Sequence, residues 1–379
     1  MTDVVVSELL VFSDHHAHPF SYGAKEVLHG GVLTNSRLVE SCNVLKQMSD
    51  YARAHNIRTV VFGGDLFHTR ESVSTDAYNA TLAELQGLTA GRQTFFLTGN
   101  HDYFDREGKV HSLEGLKYWK SDLTVVDWRS PLRVETRGSR SDSYTLCFVP
   151  YTEDKALAQR TLKEHADAVT ASPKLLIAHL GMQGAKVGSD YVLVNDADVS
   201  VDDIRTEAFA GCLFGHYHAH QQLFGNGWYI GASHQHNWGD VNTTRGFLHV
   251  RVFVDHIDFT FIESDAPRFL AIKEADVKNT TIRKKDFVKV FTSKKMNDKE
   301  LSGVRTDAVA ESCEVVYVPP EISLSAIALD ERHLTPSAMV ETWVKANAAW
   351  LQEHLPGVEE ADLVAYGRTV LAKVQGQNG

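Results

Sequence analysis

Cysteine is scarce in this chain of 379 residues: Cys42, Cys147, Cys212 and Cys313 stand far apart and never in a CxxC spacing. Neither a disulfide framework nor a zinc knuckle is expected from them, and a reducing compartment fits best. Long apolar runs are also lacking. No stretch approaches the roughly 18 to 20 apolar residues needed to cross a bilayer. The apolar piece from Val4 to Phe12 has no basic leader and no small-residue cleavage site, and Glu8 interrupts it. A soluble, cytoplasmic protein with no membrane partner is the expectation. Positive charge is in deficit, since 38 Lys and Arg face 49 Asp and Glu for a formal net charge of −11. No global positive field therefore draws the chain to nucleic acid or acidic lipid, and any polyanion must be met locally. Internal repeats and low-complexity tracts are absent as well. A composition of 43% hydrophobic and 23% charged residues is that of an ordered globular chain, long enough for two or three domains.

Histidine, by contrast, is abundant, with 19 residues, many beside Asp, Asn and Gly. The apolar runs 9–13, 58–63 and 94–98 each end in such a polar cluster: Asp14-His15-His16, Gly64-Asp65 and Gly99-Asn100-His101-Asp102. Buried strands that end in functional loops have this pattern. Between them, 36–55 and 75–89 carry apolar residues near a 3.6-residue period and predict helices. Further strands are expected at 123–127, 131–136 and 143–149, a helix near 153–169, and strands at 174–179 and 211–215. The last two run into His179 and into His216-Tyr217-His218. Segments 221–224, 227–231, 246–254 and 257–263 read as a β-meander. Residues 1–265 thus predict an α/β sandwich with polar residues at its strand ends. After Pro267 come three strand-like segments, 269–274, 286–292 and 313–318, and then two amphipathic helices at 336–354 and 359–374.

A single polar cluster at a strand end is usually no more than a polar cap. Five of them in succession bring together Asp14, His16, Asp65, Asn100, His179, His216 and His218. Carboxylate oxygen, amide oxygen and imidazole nitrogen are the donors of hard or borderline divalent metals, and cysteine is missing from all five clusters. The order D-x-H, G-D, G-N-H-D, H and G-H-x-H resembles the calcineurin-like metallophosphoesterases over about the first 220 residues. The fold implied by that resemblance is a four-layer α/β/β/α sandwich (1–265), followed by a small α+β capping domain (266–328) and C-terminal helices (329–379). Two divalent metal ions are implied too, one held by Asp14, His16, Asp65 and His218, the other by Asp65, Asn100, His179 and His216, with Asp65 bridging. Mn²⁺ is the expected metal, and the same donors accept Mg²⁺, Fe²⁺ or Zn²⁺. Two metals so held lower the pKa of a shared water and neutralise charge in an in-line phosphoryl displacement. His101, beside Asn100, is the candidate to protonate the leaving oxygen, with Asp102 as the group that orients it.

Within that family the chain is most similar to SbcD-like DNA nucleases, including the small subunits of phage recombination endonucleases. The likeness rests on His68 in Gly64-Asp65-Leu66-Phe67-His68, on Phe148-Val149-Pro150-Tyr151, and on the stretch from Gly231-Ala232-Ser233 to Arg245-Gly246-Phe247. It implies that His68 contacts substrate phosphate and that the activity is DNA exo/endonuclease cleavage in recombination, replication or end processing. The implied partners are DNA, an SbcC-like ABC ATPase docked on the C-terminal helices, and a second copy of the chain, through 75–89 and the loops near 103–118. Arg283-Lys284-Lys285 and Lys294-Lys295 would give the cap local positive charge for phosphate. A phage origin would make the compartment the host cytoplasm. Two other readings stand beside this one: a phosphodiesterase of the same fold acting on cyclic nucleotides or other small diesters, and a non-catalytic scaffold. His15, His18, His234 and His236 crowd the same loops and receive no role from the sequence.

Overall fold

A computed structural model describes residues 5–105, 109–137, 143–170, 173–187, 191–192, 198–310, 312–318, 344–345, 347, 351–352 and 357–367. It divides into two compact units, Met1–Thr292 with Met296–Val316, and Ser293–Lys295 with Tyr317–Gly379. In the second unit residues 360–367 are helical. Most of the first helix expected near the C-terminus lies outside the described residues.

The first unit is built on two six-stranded sheets. In one, Ser7–Phe12, Thr59–Phe62, Gln93–Leu97 and Leu123–Val126 run parallel, and Gly246–Val252 and Ile257–Glu263 add an antiparallel edge beside Ser7–Phe12. In the other, Ser143–Val149, Lys174–His179, Gly211–Gly215 and Gly227–Tyr229 are parallel, flanked by the antiparallel edges Arg133–Arg137 and Gln221–Phe224. Continuous apolar runs such as Thr-Val-Val-Phe at 59–62 are buried throughout, because both faces of a central parallel strand are covered.

Three hydrophobic clusters give the layers. Leu9, Val11, Val61, Phe95, Leu146, Phe148, Ile177, Leu213 and Val250 pack together from both sheets. Leu10, Phe12, Val60, Phe62 and Phe96, on the other face of the first sheet, pack on Leu45 and Met48 of α1 (Ser36–Ala54) and Leu85 and Leu88 of α2 (Thr75–Thr89). Cys147, Leu176, Ala178 and Phe214 do the same for Ala158 and Leu162 of α3 (Lys155–Asp167). This is the expected α/β/β/α sandwich. Each helix starts on a side-chain cap that satisfies otherwise orphaned amides: Asn35 accepts from Arg37 and Leu38, Ser74 from Ala77, and Asp154 from Leu157.

Several expectations need correction. The segments read as one meander belong to two sheets. Gln221–Phe224 and Gly227–Tyr229 pair in the second, while Gly246–Val252 and Ile257–Glu263 pair in the first, so 231–245 is a crossing between them. Alternating polarity marks a strand but carries no information about its partner. The hairpin Glu26–His29 with Val32–Asn35 was not foreseen, nor was α4 (Asp298–Ala308), whose polar sequence hides its period behind an Asn297–Glu300 capping box. After the sandwich, Phe269–Lys273, Phe287–Thr292 and Ser312–Tyr317 form a three-stranded sheet, with Leu270, Val288, Val290 and Ala308 as its core. Arg283 and Lys285 are not free to meet phosphate. Arg283 pairs with Asp265 and Asp286, and Lys285 Nζ lies 2.9 Å from Asp265. The four cysteines are free thiols, and among the described residues no helix is long and apolar enough to cross a membrane.

Asp127, just past Leu123–Val126, is a fully buried carboxylate that gathers His111 Nε2 (3.0 Å), Lys117 Nζ (2.8 Å) and the Arg129 guanidinium (2.6 Å). With Glu114 it offers a metal-like triad, but the ammonium and guanidinium already supply the positive charge. Burial raises its pKa, and these cations outweigh burial and hold it below the ordinary 3.8. We expect Asp127→Asn to cost about 2–4 kcal/mol at pH 7, because Lys117 and Arg129 lose their shared counter-charge and buried His111 loses a charged hydrogen-bond partner. A depressed carboxylate contributes its full stability above the ordinary value and loses it as pH falls toward the depressed one. The gap between wild type and variant in urea unfolding should therefore narrow below about pH 4.

Candidate metal centre

The parallel register brings the polar strand ends to one edge of the sandwich. Asp14 and Asp65 follow adjacent strands, Asn100 follows the next, and in the second sheet His179 is the last residue of one strand and His216 follows its neighbour. Four non-glycine residues there, Asp14, His16, Asp65 and His216, have φ of 49°, 48°, 65° and 107°. Such conformations cost on the order of 1–3 kcal/mol each and are kept where the surroundings impose them. Two glycines permit the approach. A Cβ on Gly64, itself at φ 106°, would sit 2.3 Å from His179 Nδ1, and one on Gly99 would sit 2.2 Å from Asp65 Oδ1.

All seven side chains expected as ligands converge. Single donor atoms of Asp14, His16 and His218 lie within 4.8 Å of one another, and so do those of Asp14, Asp65 and His179. Asp65 Oδ2 lies 3.7 Å from His16 Nε2 and 3.4 Å from His179 Nε2, between the two groups. The Asn100 amide completes the second, 3.0 Å from His179 Nε2 and 2.9 Å from His216 Nδ1. His179 Nδ1 donates to the Gly63 carbonyl at 2.7 Å, which directs Nε2 inward.

The electrostatics fit a cation. Asp14 and Asp65 are both buried, and burial together with the Asp65 charge pushes the Asp14 carboxyl upward. Burial alone would depress His179, but Asp65 overrides it and lifts the imidazole to about 9. His16, 2% exposed, has neither ring nitrogen in a hydrogen bond. Burial and the neighbouring histidines hold it far below its ordinary value, so it meets its surroundings as a neutral lone-pair donor. The Asn100 oxygen faces two imidazole nitrogens. Turned over, the amide nitrogen would donate to both and its oxygen would accept from Arg70 Nη2 at 2.8 Å, whereas the unturned oxygen is the donor that a cation in their midst would take. Carboxylates, imidazoles and an amide directed at one another are the donor set of a dinuclear O/N metal site, and these residues fit it.

His101 lies against this set. Its backbone amide donates to Asp65 Oδ1 (2.7 Å), and its ring Nδ1 donates to the His68 carbonyl (2.6 Å). The orienting group is thus the main chain of His68 and not Asp102. The Asp102 carboxylate instead accepts the amides of Asp65 (2.8 Å), Leu66 (3.0 Å) and Gly99 (2.9 Å), joining the two loops. Burial, and next the Asp65 charge, raise Asp102 to about 7. The His68 ring stacks on His101 at 5.7 Å, and burial pushes it down to about 4.

Other contributors lay hidden in the sequence. Asp240 receives His218 Nδ1 at 3.3 Å, the His236 amide at 2.9 Å and Arg245 Nη2 at 2.9 Å, so it orients a candidate ligand. His15 links Ser41 (2.9 Å) to Ser233 (2.8 Å), and Ser233 in turn meets His234 (3.0 Å). Its role is to join α1 to the crossing loop. His236 packs on the rings of His16 and His218, while His18 and Phe20 pack on His68. Arg37 Nη2 donates to the His236 carbonyl (2.9 Å) and its guanidinium covers Phe269 and Phe287. No motif spacing announces Asp240 or Arg70, because each acts through a contact distant in sequence.

Gly99→Ala is expected to displace the Asp65 carboxylate and cut retained divalent metal more than tenfold, by the order of two lost ligand contacts. Metal content after dialysis, measured beside the circular dichroism of the same sample, tests this, and full retention would refute it.

Residues 8–220, more than half of the chain, match the model of the family described as Calcineurin-like phosphoesterase. Two viral proteins are similar in sequence. "Putative phosphoesterase 244L" of Invertebrate iridescent virus 6 is 25% identical over 188 residues, covering 49% of this chain and 61% of that protein. "Putative phosphoesterase 078R" of Invertebrate iridescent virus 3 is 28% identical over 196 residues, covering 51% and 52%. The chain thus spans only part of the length of these relatives. Among solved structures, a dimetal phosphatase from Danio rerio is similar with a TM-score of 0.40 and 13% identity, over 69% of this chain and 97% of that one. Purple acid phosphatase PPD1 from yellow lupin (Lupinus luteus) has a TM-score of 0.44 and 12% identity, over 69% and 53%. The family match runs from the first strand through Gly215-His216-Tyr217-His218, and the chain belongs to the calcineurin-like phosphoesterase family.

Proposed function

We propose that the chain is a two-metal phosphodiesterase that cleaves DNA, an exo/endonuclease subunit working with an SbcC-like ATPase in recombination, replication or end processing. The observation that carries the phosphodiesterase reading is the convergence of all seven ligand-type side chains, with Asp65 between the two groups and the His101 imidazole beside them. Two divalent ions held there, Mn²⁺ by preference, would supply Lewis acidity towards the phosphate and lower the pKa of a shared water. Asp14, His16, Asp65 and His218 would hold one, and Asp65, Asn100, His179 and His216 the other. Asn100 adds an oxygen without adding negative charge, which leaves the centre positive towards a diester anion.

The chain's own groups do the rest. With Nδ1–H tied to the His68 carbonyl, His101 presents Nε2 as the nitrogen that gives a proton to the leaving oxygen. His68, neutral at physiological pH, is left to bind a phosphate oxygen as an N–H donor. What supports DNA as substrate is the resemblance carried by His68, Pro150-Tyr151 and the segment from Gly231 to Phe247. The ATPase partner and a homodimer rest on the same resemblance. A small diester is the second reading, favoured by the ion pairs that occupy Arg283 and Lys285. A scaffold role has no support from a site with every ligand position filled.

His101→Ala should lower the turnover of Mn²⁺-dependent cleavage of linear duplex DNA by about 10²–10⁴-fold while metal content stays at the wild-type level. Bis-p-nitrophenyl phosphate, assayed in parallel, separates the readings. Cleavage of the small diester with DNA untouched, even with the ATPase partner present, would overturn the DNA assignment and leave the two-metal chemistry standing. Chelation should abolish both activities, and added Mn²⁺ should restore them.

A further inference from the structure

A cavity of about 360 Å³ adjoins the metal centre, lined by Asn100, Arg70, Tyr103, Phe104, Trp128 and Tyr151, with Glu71, Asp105 and Glu153 among its polar groups. We propose that it is a nucleobase subsite, and that the substrate of this centre is therefore a nucleotide ester whose base lies against Trp128, Tyr151 and Phe104. The inference rests on the phosphodiesterase reading and deepens it by naming the organic group beside the scissile phosphate.

Size and chemistry agree on this occupant. The volume falls at the lower end of small-molecule sites, which run from about 300 to 1,000 Å³. The wall is aromatic and fixed in place. Trp128 Nε1 donates to the Tyr151 carbonyl at 2.9 Å, and the Tyr151 ring stacks on His216 at 6.0 Å with 21° between planes. The aromatic surface is thus continuous with the ligand set. Phe104 keeps 57% of its surface in solvent while lining the same cavity, an arrangement that gains from a planar ligand. Stacking on such rings suits any nucleobase, since every base has a π-face.

The charges assign the two ends of the ligand. Asn100 belongs to the metal centre, and the Arg70 guanidinium within reach of its amide can pair with a phosphate. The three carboxylates repel phosphate, and they accept hydrogen bonds from exocyclic amino groups and ring N–H. A ligand with an anionic end towards Asn100 and Arg70, and a neutral planar end bearing N–H donors towards Trp128 and Glu153, is a nucleotide. A simple alkyl substituent would use neither the rings nor the carboxylates.

The test compares the Mn²⁺-loaded full chain on 2′-deoxyadenosine 5′-(p-nitrophenyl phosphate) and on methyl p-nitrophenyl phosphate, which share a leaving group. The wild type should prefer the nucleoside ester at least tenfold in kcat/KM. Trp128→Ala and Phe104→Ala should each cut that preference about three- to tenfold, through KM, and Trp128→Phe should restore most of it. Phe104 is exposed, so its replacement leaves folding intact. A wild-type preference below twofold, or one that neither alanine variant changes, overturns the subsite while the phosphodiesterase reading survives. If the wild type cleaves neither ester, the phosphodiesterase reading fails, and calorimetry with 2′-deoxyadenosine 5′-monophosphate then decides the cavity by itself. Binding weakened by Trp128→Ala supports it, and no binding to the wild type overturns it.

Discussion

Asp14 and Asp65 end two adjacent parallel strands with side chains 0% and 1% exposed. Anions so placed lose their hydration and repel each other, and positive charge close by offsets that cost. The protein answers with imidazoles. His179 is lifted to about 9 by Asp65 although burial opposes it, Asp240 raises His218 in the same way against burial, and His16 stays neutral. A proton on His179 and a divalent ion among the ligands meet the same demand, and the ion meets it with more charge and with the neutral lone pairs of His16 and Asn100 engaged. The centre is therefore cation-seeking before any substrate is considered.

This demand reaches back into the fold. The two carboxylates approach because the chain accepts left-handed backbone at Asp14, His16, Asp65 and His216, and because Gly64 and Gly99 have no Cβ to block contact. Strained loops of this kind stay in place only when something rigid holds both ends. The sandwich provides strands in parallel register, and Asp102 ties the loops after two of them by accepting three amides. Asp102 has a cost of its own, for burial and Asp65 push it up to about 7. The amides it accepts are what keep a third buried acid beside Asp14 and Asp65. Further out, the His15–Ser233 and Arg37–His236 bonds fasten the crossing loop to α1, so Asp240 can present its oxygen to His218.

Much of this was legible in the sequence, for a physical reason. Central strands buried on both faces read as apolar runs, and α2 begins and ends where its periodicity puts it. The candidate ligands stand at strand ends, where local spacing announces them. What stayed hidden depends on contacts between distant segments. Alternation at 221–263 could not tell one sheet from two. Asp102 follows His101 directly, yet its side chain turns into the loop backbone, and the carbonyl that orients His101 belongs to His68, a main-chain role that residue type does not encode. Arg283 and Lys285 look like a phosphate patch in sequence and are neutralised by Asp265 and Asp286 in the fold.

That neutralisation bears on how an acidic protein handles an anionic ester. With a formal charge of −11, attraction cannot come from the surface as a whole. It has to come from a small region where burial lowers the dielectric and makes each charge count for more. The metal centre is such a region, and Arg70 extends it towards the neighbouring cavity. The same cavity also carries the carboxylates of Glu71, Asp105 and Glu153. A phosphate that strays from the centre meets carboxylates, whereas a neutral ring attached to it finds aromatic faces and acceptors. On the reading proposed above, this mixture of charges would orient a substrate as well as attract it: the anionic group would be held where the candidate ligands converge, and the rest of the molecule would turn into the cavity.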